Sequence, residues 1–149
     1  MTSPASTSGA FPPVAELVPH EPPMLLIDEL LAWTPERAQV RAQVRAGSPF
    51  VSEGRAPALV MIEIMAQAVA AAAGMDRRQR GEDRVERGVL LGTRELALSV
   101  DELHVGDELR IDVAREFDDG TLFRYACSVE REGQRLASAE LNVMIERSS

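Results

Sequence analysis

Lysine is absent from this chain. All 16 basic residues are Arg, set against 24 acidic ones for a formal net charge of −8. That balance argues against generic binding to nucleic acid or to anionic membrane surfaces, and an acidic partner would need a local basic patch. Cysteine is almost absent too: Cys127 stands alone and has no internal disulfide partner. The opening "MTSPASTSGAFPP" has neither a basic n-region nor an apolar h-region, so a reducing cytoplasm is the expected compartment. Two distant histidines and one cysteine offer no recognised metal-ligand spacing, and there is no glycine-rich phosphate loop, so neither a metal nor a cofactor is expected. Long apolar runs are scarce. The one membrane-span candidate, residues 56–75, owes much of its apolarity to Ala and contains Glu63. A charged acid near a bilayer centre costs roughly 2.5–3.5 kcal/mol on insertion scales, so no span is expected.

What is present suits one ordinary globular domain of 149 residues, 45% of them hydrophobic. Residues 1–12 are rich in Ser, Thr, Pro and Gly and read as a disordered tail; residues 13–149 read as a single domain. After a short apolar turn at 14–18 comes "PHEPP", whose prolines exclude a regular helix and impose a stiff, extended path. "MLLIDELLAW" and "AQVRAQVRA" read as strands. "ALVMIEIMAQAVAAAAG" reads as a helix over about 57–73, with Pro57 in its first turn and Gly74 as its stop signal. "MDRRQRGEDRVER" reads as a solvated connection. Four strands follow, at 88–98, 108–117, 121–130 and 135–146, separated by "HVGDE", "DDG" and "EGQ" turns. The order is α+β, and the helix lacks a polar face, so it must be covered on nearly all sides. A curled antiparallel sheet around one central apolar helix, the hot-dog fold, meets that demand. A second subunit would then cover the remaining helix surface.

The polar spot on this helix is Glu63 with Gln67 one turn later, on one face. Gln67 can hydrogen-bond the carboxylate or a ligand. A buried Glu can hold and deliver a proton near neutral pH, or Glu63 can reach solvent or pair with an Arg as a structural ion pair; the spacing alone leaves both open. A second acid/base group would most naturally be histidine, and only His20 and His104 exist. His104 falls in a turn, where exposure is the rule. His20 falls in the proline-stiffened loop. Cys127, mid-strand in "FRYACSVE", reads as an inert buried thiol.

"LVPHEPPMLLIDELLAW" resembles the "LPHRxPFLLVDRV" opening of the hot-dog 3-hydroxyacyl-ACP dehydratases of the FabZ and FabA type, and "IEIMAQAVAAAAG" resembles their central-helix motif. "GVLLGTRELALSVDELHVGDELRI" and "ASAELNVMIE" resemble the smaller ApeP-like branch associated with aryl-polyene pigment clusters. The resemblance runs over about residues 13–146. It implies a cofactor-free lyase acting on a substrate carried by acyl carrier protein, with Glu63 and Gln67 matching the family's acidic residue and glutamine.

The family's catalytic histidine belongs to an "HFPG" loop, where this chain has "SPFVSEGRAP" and no histidine. Either His20 serves as the base, or the chain is a non-catalytic accessory half of a heteromeric dehydratase. Thioester hydrolysis with water activated by Glu63 is a third reading that the fold allows. Under the first, His20 removes a C2 proton, Glu63 protonates the leaving 3-hydroxyl, and the backbone N–H groups of Ala58 and Leu59 polarise the thioester carbonyl. Arg77, Arg78 and Arg80 are the expected docking patch for the acidic carrier protein.

Overall fold

The structure, a computed structural model, describes residues 11–82 and 87–146. The tail reading for residues 1–10 and the charges at 83–86 fall outside the described residues. Strands β1 (Glu29–Trp33), β2 (Arg37–Gln43), β4 (Arg87–Leu98), β6 (Glu108–Asp118), β7 (Leu122–Arg131) and β8 (Gln134–Glu146) form one antiparallel sheet in the order β1-β2-β6-β7-β8-β4. Alternation along the strands sends one set of side chains inward. In β6, Leu109, Ile111 and Val113 are buried while Glu108 and Arg110 are exposed. The sheet curls around a single helix, α1 (Val60–Gln79), whose Met61 and Met65 meet Val40, Ile111, Val129 and Leu141 in a core closed to solvent. This is the expected α+β architecture. The four C-terminal strands lie within a residue of the expected bounds, because their turns carry strong local chemistry. At Glu132 and Gly133 both φ angles are positive, as a tight hairpin of right-twisted strands needs.

Three expectations need correction. The helix begins at Val60 rather than Pro57, because Arg55–Pro57 forms a short strand, β3, paired with β5 (Glu102–His104) in a separate two-stranded sheet. Proline is tolerated there on an edge. The helix also passes through Gly74 and ends at Gln79, so the first residues of "MDRRQRGEDRVER" are helical rather than connecting. The stop is made about two turns later by Gly81, at φ 78°. Its N–H bonds the Arg78 carbonyl, and the Glu82 N–H bonds the Arg77 carbonyl, which closes the helix end. Gly74 has a different use: a Cβ there would run into the backbone of Leu17. Finally, β1 starts at Glu29, not Met24. Residues 24–26 give their backbone groups to a side chain of the helix instead of to a strand.

Candidate active site

That side chain is Gln67, which is fully buried. Its Oε1 accepts from the Leu26 N–H at 2.8 Å, and its Nε2 donates to the Met24 carbonyl at 2.8 Å and to Glu63 Oε2 at 2.9 Å. A buried amide is costly unless satisfied, and here three bonds satisfy it while tying the end of the proline loop to the helix. Of the two expected partners of Gln67, the carboxylate is the one it bonds in this structure, and both its amide atoms are engaged within the chain. The loop is fixed at its other end as well. Leu17 and Val18 are buried, and the bare backbone of Gly74 lets Leu17 lie against the helix.

Between these two anchors sits His20, with Nε2 3.4 Å from Glu63 Oε2. The two histidine candidates thus separate, and the one in the stiff loop meets the helix carboxylate of its own chain. His20 Nδ1 is buried and has no hydrogen-bond partner among the described residues, and Nε2 is the ring nitrogen turned toward the carboxylate. Glu63 lies in the first turn of α1, where the positive end of the helix dipole favours a negative charge. Both side chains open into a cleft. Ala66, Ala70 and Ala73 of α1 form its floor, and Phe123 and Tyr125 of β7 stand opposite. Gly88 and Leu90 of β4 reach its rim.

Ala58 and Leu59 do not line this cleft. The Ala58 N–H is taken by the Asp101 carbonyl at 3.0 Å, which takes Ala58 out of the expected carbonyl-polarising role. The expected basic patch is also not assembled as one surface. Arg77 is buried beside the cleft, Arg78 pairs with Glu16 at 3.1 Å, and Arg80 lies 3.6 Å from both Asp76 and Glu82. Cys127 is buried, as expected, and that burial pushes its thiol up to about 12. Burial likewise pushes the Tyr125 hydroxyl up to about 12, so it stays neutral at neutral pH. No group of His, Cys, Asp and Glu able to hold a metal is found among the described residues, and no described helix is long and apolar enough to cross a membrane.

The alanine floor was legible in principle, because Ala66, Ala70 and Ala73 follow Glu63 at helical spacing on one face. Phe123 and Tyr125 carried no such signal. Their place depends on the pairing of β7 with β6 and β8.

A family model described as "ApeP-like: ApeP dehydratase" matches residues 12–148. The chain belongs to the ApeP-like dehydratase family. This ApeP-like chain is also similar to two proteins named 3-hydroxyacyl-[acyl-carrier-protein] dehydratase FabZ. The one from Ehrlichia canis (strain Jake) is 25% identical over 141 residues, covering 91% of this chain and 94% of the relative. The one from Agrobacterium fabrum (strain C58) is 25% identical over 138 residues, covering 89% and 86%. Among solved structures it matches "The Dehydratase Heterocomplex ApeI:P from Xenorhabdus doucetiae" with a TM-score of 0.87 and 26% identity, over 93% of both chains. A hypothetical thioesterase with coenzyme A from Streptococcus pneumoniae TIGR4, 14% identical with a TM-score of 0.59 over 80% of this chain and 88% of that one, shares the hot-dog fold alone.

Proposed function

We propose that this ApeP-like dehydratase converts a 3-hydroxyacyl thioester carried on acyl carrier protein to the trans-2-enoyl thioester and water, in fatty acid or aryl-polyene biosynthesis, using His20 and Glu63 of one chain. The observation that carries the reading is the 3.4 Å contact between His20 Nε2 and Glu63 Oε2 on a cleft whose other lining residues, Arg77 apart, are mostly apolar. The reacting form of the pair is the one that holds a single proton, on Glu63. His20 Nε2 takes a proton from C2, and Glu63 gives its proton to the departing 3-hydroxyl. The bond between C3 and oxygen breaks, and the electron pair from C2 forms the double bond. The pair is then left as imidazolium and carboxylate. Direct transfer across the same short contact returns the proton to Glu63 and restores both groups without a further reagent.

The assembly we propose is a pair of hot-dog subunits joined through β4. Among the described residues this strand is an edge, hydrogen-bonded only to β8, and exposes Leu90, Leu91, Leu96 and Leu98. An exposed apolar edge of this length invites pairing with another chain. Gly88 and Leu90 at the rim of the cleft put a neighbour on that edge within reach of the substrate. The carrier protein would dock at Arg78 and Arg80. Their ion pairs are at the surface, worth about 0–1 kcal/mol each, and are readily exchanged for carboxylates of a partner.

The test is incubation of the purified protein with a 3-hydroxyacyl carrier protein, followed by intact-mass spectrometry. Loss of one water with the thioester retained supports dehydration. Release of the acyl group would instead make Glu63 the water-activating residue of a thioesterase.

A further inference from the structure

Leu25 and Leu26 of the proline loop line a second cavity, of about 240 Å³, which shares no lining residue with the cleft of His20 and Glu63. Val60 and Ile64 of α1 and Leu109 of β6 extend its wall, so most of the lining is aliphatic. Two strand positions hold it open. Ala42 of β2 and Ala56 of β3 both line the cavity and are themselves buried. Strands favour β-branched side chains, and a larger residue at either position would bury more apolar surface and shrink a void that costs stability. Alanine at both positions therefore runs against strand propensity and against packing at once. The polar side chains of the lining come from one place, the end of β2 and the loop after it, as Gln43, Arg45 and Ser48. The Arg45 side chain is half-exposed, and Nη1 makes its contacts, with Asp28 Oδ1 and with the Gln43 carbonyl. Asp28 is steadied in turn by the Gln43 N–H, which donates to its other oxygen at 2.7 Å. Nε and Nη2 of Arg45 have no partner among the described residues, and these two donors form the side of a guanidinium that fits a carboxylate.

We propose that this cavity is a second ligand site, separate from the His20 and Glu63 cleft, that takes a short aliphatic carboxylate with its chain inside and its head on Arg45. An apolar cavity of about 150 Å³ holds a benzene ring, so by proportion this one suits about ten non-hydrogen atoms, the size of octanoate. The site stands whether or not the chain dehydrates a thioester. It is nonetheless built on the loop that carries His20, because Leu26 lines it while donating its N–H to Gln67 Oε1 at 2.8 Å.

Octanoate and octanol are titrated by calorimetry into the wild type, Ala42→Leu, Ala42→Val, Arg45→Gln and Ala70→Leu, the last of which crowds the other cleft instead. Octanoate should bind the wild type at millimolar concentration or below. Ala42→Leu should lose at least about tenfold in affinity for both ligands, since one methylene in an apolar pocket is worth roughly 10–200-fold. Ala42→Val, which disturbs the strand less, should lie between and carries the test if the leucine variant does not fold. Arg45→Gln should weaken octanoate about fivefold, the size of one exposed ion pair, and leave octanol within about twofold. Ala70→Leu should bind both as the wild type does. Failure of octanoate to bind the wild type, or undiminished binding by both Ala42 variants, would overturn the proposal. So would a loss confined to Ala70→Leu, which would place the ligand in the His20 and Glu63 cleft. Undiminished octanoate binding by Arg45→Gln would overturn the assignment of a carboxylate head.

Discussion

The chain contains two histidine and carboxylate pairs, and the closer pair is the less useful one. His104 Nε2 lies 3.1 Å from Glu102 Oε2, against 3.4 Å for His20 and Glu63. The His104 side chain, however, is 56% exposed on the two-stranded sheet, and Glu102 also lies 3.5 Å from the Arg55 guanidinium. In that setting the pair is screened by water and answers to a permanent cation, so it contributes little to stability and has no enclosed space in which to act. His20 and Glu63 are held by buried neighbours. Gln67 fixes the carboxylate and the Met24–Leu26 backbone together, Leu17 lies on Gly74, and an apolar cleft opens beside the pair. What distinguishes a reactive pair is the support behind it and the space in front of it, more than the distance between its atoms.

The comparison is broken most sharply by removing the cleft pair itself. Glu63→Gln and His20→Ala should each lower dehydration by about 10²–10⁴-fold, measured by carrier-bound water loss, with the native circular dichroism retained. Next comes the support. Gln67→Leu strands the Leu26 N–H and the Met24 carbonyl. It should cost about 1–3 kcal/mol per unsatisfied group in chemical denaturation and lower turnover through a displaced His20 loop. Gly74→Ala forces the Leu17 segment off the helix. A destabilisation of about 1–3 kcal/mol is expected by the same assay, with a smaller loss of activity than for Gln67→Leu. His104→Ala should be the mildest, leaving stability within about 0.5 kcal/mol and turnover unchanged.

Much of this arrangement was legible in the residues. Glu63 and Gln67 share a face by helical spacing, and the prolines around His20 announce a fixed loop. The β hairpins declare themselves through Gly120 and Gly133, which sit in turns with positive φ. The helix ends were less legible, because a glycine in a helical pattern signals either a stop or a close contact. Gly74 is the second, and only the position of Leu17 decides it. The roles of Ala58 and Arg77 were equally hidden. Whether a backbone N–H is spent on Asp101, or a guanidinium is buried beside a cleft, depends on neighbours far away in sequence. Local chemistry marked which residues could react; the long-range packing determined which of them meet.

The most direct test of the central claim sets wild type, His20→Ala and His104→Ala side by side on one 3-hydroxyacyl carrier protein and follows water loss by intact mass. The account predicts conversion by the wild type and by His104→Ala at similar rates, with conversion by His20→Ala lowered by at least about 10²-fold. Full activity in His20→Ala would remove His20 from the mechanism. No conversion by the wild type would contradict a self-sufficient dyad and leave the chain as the accessory half of a heteromeric dehydratase.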